Sequence, residues 1–251
     1  MNKVYFGFLF LGMLLISSCT SYESLLSYNE SAIPGTPQSI NNFKPLRIKS
    51  HDLLSIQISS VDGDAIQAFQ LSTGGESGSA GHLYLVNSDG FIEFPTLGSI
   101  AVKGLEIEAA KDTIQALLSP YFTQKPIVQV KLDNFTVNVH GEVGGGGTFR
   151  INNDRLTVIE AVIMAGDFTN YSRRDSVLII RENENIREFA YVNFNSADIF
   201  NSPYFYLQQN DVIYIRPNKS KVNTVRDPAS RFLPWVSTLV SMAALLFSIT
   251  R

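Results

Sequence analysis

The chain has 251 residues, 45% of them hydrophobic and 11% aromatic, enough apolar material for one or two folded domains and too much for a wholly disordered chain. Lys+Arg 20 against Asp+Glu 23 leaves a formal charge of -3, which argues against a nucleic-acid partner, because displacing counterions from a duplex needs a basic face. One Cys excludes an internal disulfide. Three His residues (His51, His82, His140) beside that Cys match no zinc-binding spacing, so no metal or cofactor is expected.

In chain order, Lys3 is the only charge before Glu23, and the apolar run Val4 to Ile16 follows it. A run of that length is a signal-peptide core, too short for a bilayer of about 30 Å. It ends in Ile16-Ser17-Ser18-Cys19, which resembles a bacterial lipobox. Small residues ahead of the Cys let an extended chain enter a signal peptidase, and the thiol is the nucleophile that takes a diacylglyceryl group. This predicts a signal peptide over 1–18 and a covalent lipid on Cys19, the only cofactor-like group expected. Three acyl chains on a mature lipoprotein hold it firmly to membrane lipid. Thr20, in place of an Asp, favours the outer membrane.

Residues 19–45, with Pro34, Gly35 and Pro37, read as a tether. Alternation predicts a strand at Ser55–Ile58, and the Gly/Ser run 72–81 predicts a loop. Leu83–Val86 and Phe91–Phe94 flank Asn87-Ser88-Asp89-Gly90 and predict a hairpin. Glu106–Leu118 predicts an amphipathic helix with Ile107, Ala110, Ile114 and Leu117 on one face, and Ile127–Leu132 a strand.

A second unit follows. Phe135–Val139 reads as a strand, Gly141–Gly147 as a glycine-dense turn whose four glycines Gly144–Gly147 suggest a looser turn, and Phe149–Ile151 as a short strand. Thr157–Ala165 is a helix capped near Thr157 and stopped at Gly166. Ser176–Arg181, Tyr204–Leu207 and Val212–Arg216 read as further strands. This order predicts an α+β unit of β-grasp type.

Between Arg231 and Arg251 runs an uncharged stretch of 19 residues, Phe232–Thr250. As a helix it measures roughly 28 Å, about one hydrocarbon core, and it predicts a transmembrane helix over 232–250 after a linker at 217–231. Pro234 suits its first turn and Trp235 an interfacial end. At 100° per residue, Ser237, Ser241, Ala244 and Ser248 form a small and polar stripe. Trp235, Leu239, Met242 and Leu246 form the opposite apolar face. Either a single lipid-embedded anchor or a helix packed against copies of itself fits this pattern.

Other candidate groups favour plain readings. Asp62-Gly63-Asp64 lacks the later carboxylates of a calcium loop. Gly144–Gly147 lacks a following Gly-Lys-Ser/Thr, and Glu106 and Glu108, two apart on a helix, do not face each other as a glycosidase pair. His140 has no G-x-S-x-G nucleophile elbow to serve. Arg173-Arg174 reads as solvated charge, and Tyr204, Phe205 and Tyr206 as strand packing more than sugar stacking. No enzyme activity is expected.

Three stretches together resemble the Wza-type outer-membrane polysaccharide export family. The first is Ile48-x-x-x-Asp52-Leu53-Leu54-Ser55-Ile56. The second is Asp89-Gly90-Phe91-Ile92-Glu93-Phe94-Pro95-x-Leu97-Gly98, followed by Val102-Lys103-Gly104-Leu105. The third is Val139-His140-Gly141-Glu142-Val143, then Phe149 and Thr157-Val158-x-Glu160-Ala161-x-x-x-Ala165-Gly166. The resemblance implies an export domain at 46–132 and a soluble-ligand-binding β-grasp (SLBB) domain at 133–216. It implies a homo-oligomeric ring, about eight-fold, lipid-anchored in the outer membrane with its body in the periplasm. It also implies passage of capsular polysaccharide or exopolysaccharide, and an inner-membrane chain-length regulator or tyrosine kinase as partner. A periplasmic lipoprotein scaffold that binds glycan or partner proteins without forming a pore is the alternative.

Overall fold

A computed structural model describes residues 27–28, 35–37, 39–61, 69, 82–183, 186–221 and 229–249. The signal segment 1–18, Cys19, Thr20, Asp62-Gly63-Asp64 and the loop 72–81 lie outside these residues.

The first unit is built on strand β1 (Leu53–Ser59), whose alternation buries Leu54 and Ile56. β1 lies between β2 (His82–Leu85) and β5 (Ile127–Leu132), antiparallel to both. Helix α1 (Ile107–Leu118) packs against β5 through Ala110, Ile114 and Leu118. Leu118 replaces the expected Leu117, which is 43% exposed: it lies at the edge of the stripe, while Leu118 falls nearer its centre.

The hairpin expected between Leu83–Val86 and Phe91–Phe94 does not form. β2 is taken by β1, with Leu53 opposite Leu85. β3 (Phe91–Phe94) pairs instead with β4 (Gly98–Ala101), a strand the sequence reading lacked. The turn between them is real: Gly90 N–H reaches Asn87 O at 3.0 Å, and Asn87 Oδ1 accepts the Phe91 N–H at 2.9 Å. Gly90 sits at φ +93°, and a Cβ there would lie 2.4 Å from Lys103 Cβ, so the turn requires glycine. β3 and β4 form a sheet of their own, and Tyr84 of β2 stacks on Phe94 of β3 at 5.0 Å.

The second unit is a five-stranded mixed sheet in the order β7-β6-β10-β8-β9. β6 (Thr136–Gly141) and β10 (Val212–Ile215), the first and last strands of the unit, pair parallel at its centre. β7 (Gly147–Arg150) flanks one side. β8 (Val177–Asn183) and β9 (Ile186–Val192) flank the other, and β9 was not anticipated. Tyr204–Leu207 is not a strand: apart from an isolated Thr157–Tyr206 bridge, its Phe205 O and Leu207 N–H only meet the backbone of Leu156 and Val158.

Helix α2 (Val158–Met164) begins with a capping box at Thr157 and Glu160, which satisfies two orphan N–H groups, and it buries Val158, Ala161 and Val162. The glycine turn is not loose. A Cβ on Gly144 would lie 2.5 Å from Gly166 O, and one on Gly146 2.9 Å from Val139 O. Gly145 N–H donates to Ala165 O at 2.7 Å and Gly144 N–H to Asp167 O at 3.1 Å, so the turn closes the end of α2.

Each unit has its own core, one centred on Leu54, Ile56, Ile92 and Ile114, the other on Phe135, Val137, Ile179 and Ile213. The expected tether is bound to the second unit at several points. Tyr28 N–H donates to Phe194 O at 2.9 Å, and Asn42 Nδ2 donates to Phe200 O and Ser202 O.

Helix α3 (Ala229–Ile249) is the last element. Among the described residues no helix is long and apolar enough to cross a membrane, so the transmembrane helix expected over 232–250 is not supported. Pro234 and the hydroxyl residues Ser237, Thr238 and Ser241 dilute the apolar run. Pro234 is also not in the first turn but inside the helix, where it removes one N–H from the ladder.

Candidate functional site

The segment leading into β1 lies between the two units. Phe43 meets Tyr206 edge-on at 5.0 Å, and Lys49 Nζ donates to Asn183 Oδ1 at 2.6 Å and to Gln208 Oε1 at 3.3 Å. Leu53 N–H donates to Asn134 Oδ1 at 2.9 Å. These bonds tie the units across a junction that carries a cleft of about 220 Å³, bordered by Ser55, Lys131, Asp133, Asn152 and Asp154. A second, of about 210 Å³, is bordered by Lys44, Arg47, Lys49, Asn183, Gln208 and Gln209.

Asp52 anchors this corner from the first unit. It is buried, its O accepts the Val86 N–H, and its Oδ2 accepts the Lys49 N–H at 2.8 Å. Burial pushes the Asp52 carboxyl up, against the pull of the Lys49 N–H, the Lys49 charge and the Gln209 side chain. Asp52 belongs to the first motif stretch. Its position there is that of a corner support holding β1 and β2 together.

Residues 41–133, less than half of the chain, match the family model described as polysaccharide biosynthesis/export protein. The chain carries a polysaccharide export domain. The match spans β1 to β5 and the whole of the first core, and it stops just before Phe135 opens the second.

The export domain and its neighbour leave several charged groups paired inside the chain. Glu106 holds Arg47 at 2.7 Å, and Glu108 pairs with Lys111. His140 stacks on Tyr214 at 4.7 Å. Arg173 pairs with Asp175 at 2.7 Å, lowering that carboxyl, and Arg174 covers Phe168 at 5.2 Å. Tyr204 donates to Glu188 Oε2 at 2.9 Å, and Phe205 packs on the second core. Among the described residues no group of three His, Cys, Asp or Glu could hold a metal.

The outer face of the second sheet is aromatic. Phe189 and Tyr191 on β9 are both 62% exposed, and Arg216 lies over the Tyr191 ring at 5.1 Å. Sequence reading missed this face because β9 was missed.

The exit toward α3 is pinned. Asn218 N–H donates to Tyr171 O at 2.6 Å, and Lys221 Nζ donates to Glu142 Oε2 at 2.5 Å. The expected linker is therefore attached through Lys221, while 222–228 lie outside the described residues. Lys221, Thr169 and their hydrogen bonds hold the Glu142 carboxyl below its ordinary 4.5. A lowered carboxyl gives stability that is complete above 4.5 and is lost as pH falls through the folded value. Urea unfolding from pH 7 to pH 3 should show Glu142→Gln less stable than wild type at neutral pH, with the difference closing in acid. A constant difference across that range would refute the ion pair.

On α3, Trp235, Leu239, Met242 and Leu246 are all exposed, and so are Ser237, Ser241, Ala244 and Ser248. Phe232, Leu233, Val236, Val240 and Leu245 are exposed too, so the apolar surface is wider than one face. The serine stripe is partly spent within the helix: Ser237 Oγ donates to Pro234 O at 2.8 Å and Ser241 Oγ to Ser237 O at 2.9 Å. Cys19, the expected lipid site, lies outside the described residues.

Proposed function

We propose that this chain is a lipid-anchored subunit of a homo-oligomeric ring that passes capsular polysaccharide or exopolysaccharide across the outer membrane, without chemistry of its own. The export domain places the chain in polysaccharide export or biosynthesis. One observation carries the finer reading: α3 exposes nine large apolar side chains that nothing in the described chain covers. Water does not favour such a surface, and contiguous apolar area of this kind marks an interaction site. Copies of α3 packing side by side would cover it. The lone Cys19 after Ile16-Ser17-Ser18 supports acyl anchoring. The parallel pairing of β6 and β10, flanked by hairpins with α2 between, supports the β-grasp and SLBB reading of the second unit. The family resemblance suggests an inner-membrane chain-length regulator or tyrosine kinase as partner.

Deleting the gene should abolish surface polymer while intracellular synthesis continues, and a copy ending at residue 228 should fail to restore it. Native mass of the detergent-extracted protein should be a multiple of the subunit mass. A monomer together with unchanged surface polymer would support a non-pore scaffold lipoprotein instead.

A further inference from the structure

We propose that the cleft bordered by Lys44, Arg47, Lys49, Asn183, Gln208 and Gln209 is a binding site for one acidic sugar residue, a hexuronate unit, at the junction of the two units. The inference rests on the polysaccharide reading for its ligand class, and on this cleft's own chemistry for the rest.

Three features define that chemistry. The charged side chains around this cleft are all cationic, whereas its neighbour is bordered by Lys131, Asp133 and Asp154. Arg47 is held by Glu106 at the rim, and Lys49 donates to the amide oxygens of Asn183 and Gln208. Lys44 makes no ion pair with any described carboxylate and is exposed. It is the cation best placed to meet a carboxylate.

The second feature is a buried acceptor. Gln209 is 8% exposed, and its Oε1 is buried without a hydrogen-bond partner. Its amide N–H side interacts with the Asp52 carboxylate, which fixes the orientation of the amide and leaves the oxygen without a donor among the described residues. An orphaned acceptor wants a donor, and a sugar hydroxyl supplies one. The third feature is size: about 210 Å³ is below the roughly 300–1,000 Å³ of drug-sized ligand sites, so the cleft takes one ring and not a chain segment.

A ligand must therefore carry both an anion and hydroxyl donors. Glucuronate has both, glucose lacks the charge, and acetate lacks the hydroxyls. Ligand-observed NMR on the full chain in detergent should show glucuronate binding at least roughly tenfold more tightly than either glucose or acetate, a difference that two cooperating contacts can supply. Raising the salt should weaken it, because Lys44 is exposed. Gln209→Leu and Lys44→Ala should each weaken glucuronate roughly tenfold. Lys44→Ala guards against misfolding, since it removes only an exposed side chain.

Three results would overturn the site. One is no glucuronate binding in the millimolar range, with the cleft holding water only. Another is binding equal to that of acetate. The last is binding that neither substitution changes. Surface polymer in the deletion strain separates the two readings. If polymer disappears with the gene yet glucuronate does not bind, the export role stands and the site fails. If glucuronate binds while surface polymer persists, the site stands and the ring-translocon role fails.

Discussion

Arg181→Ala should destabilise the second unit by about 3–5 kcal/mol, because it leaves a buried carboxylate without its counter-charge. Arg181 and Asp211 have 6% and 0% side-chain exposure. Their contact is two-pronged, with Nε to Oδ1 at 3.0 Å and Nη2 to Oδ2 at 2.7 Å. Nη2 also donates to Tyr206 O at 3.0 Å, and the guanidinium lies over the Tyr204 ring at 4.9 Å. Asp211 in turn accepts the Gln208 N–H at 2.8 Å. The group thus connects β8, the segment before β10, and the loop that carries Gln208 and Gln209.

Burial pushes the Asp211 carboxyl up, and Arg181 pulls against it. The bidentate pair together with the backbone N–H keeps Asp211 ionised in the wild type. Without Arg181 only the Gln208 N–H and the Lys49 charge oppose the upward push. A raised carboxyl gives stability that is complete below the ordinary 3.8 and is lost as pH rises through the folded value. Chemical denaturation should therefore show Arg181→Ala farthest below wild type near neutral pH, and closer to it in acid. Replacing both residues, as in Arg181→Met with Asp211→Leu, should recover much of the loss, since a well-packed apolar pair removes both desolvation costs. A single-variant loss below about 1 kcal/mol would contradict the buried pair.

Gly141→Ala should be comparably severe. Gly141 ends β6 at φ +104°, and a Cβ there would lie 2.0 Å from Ile215 O, the backbone of the parallel partner strand. That same oxygen accepts the Glu142 N–H at 2.8 Å, so it cannot retreat without opening the central pair of the sheet. Strain and overpacking together amount to roughly 2–5 kcal/mol. Gly147 provides the control: it has no atom within 4 Å of its Cβ position and no left-handed φ. Thermal unfolding should show a large drop in Tm for Gly141→Ala and little change for Gly147→Ala. Equal effects would refute the close approach.

Much of the secondary structure was legible because its causes are local. The alternation of Leu54 and Ile56 marked β1, and Thr157 with Glu160 marked the start of α2. The first two export-family stretches were legible for the same reason and fall inside the match over 41–133, whereas the third, Val139 to Gly166, lies beyond it. Partner choice was harder. The Asn87–Gly90 turn is a strong hairpin signal, yet β1 took β2, because strand pairing is decided by which edges meet in space. β9 escaped notice because IREFAYV is an edge strand whose aromatic side faces outward, which blurs the apolar alternation of a half-buried strand.

Composition and motif order were sufficient to establish a mixed α and β chain with a polysaccharide export domain, since those follow from short-range patterning. The inter-unit cleft, the Arg181–Asp211 pair and the tight packing of Gly141 became visible once distant segments met. Their residues lie tens of positions apart, and no local periodicity encodes which buried charge or backbone oxygen will face which neighbour.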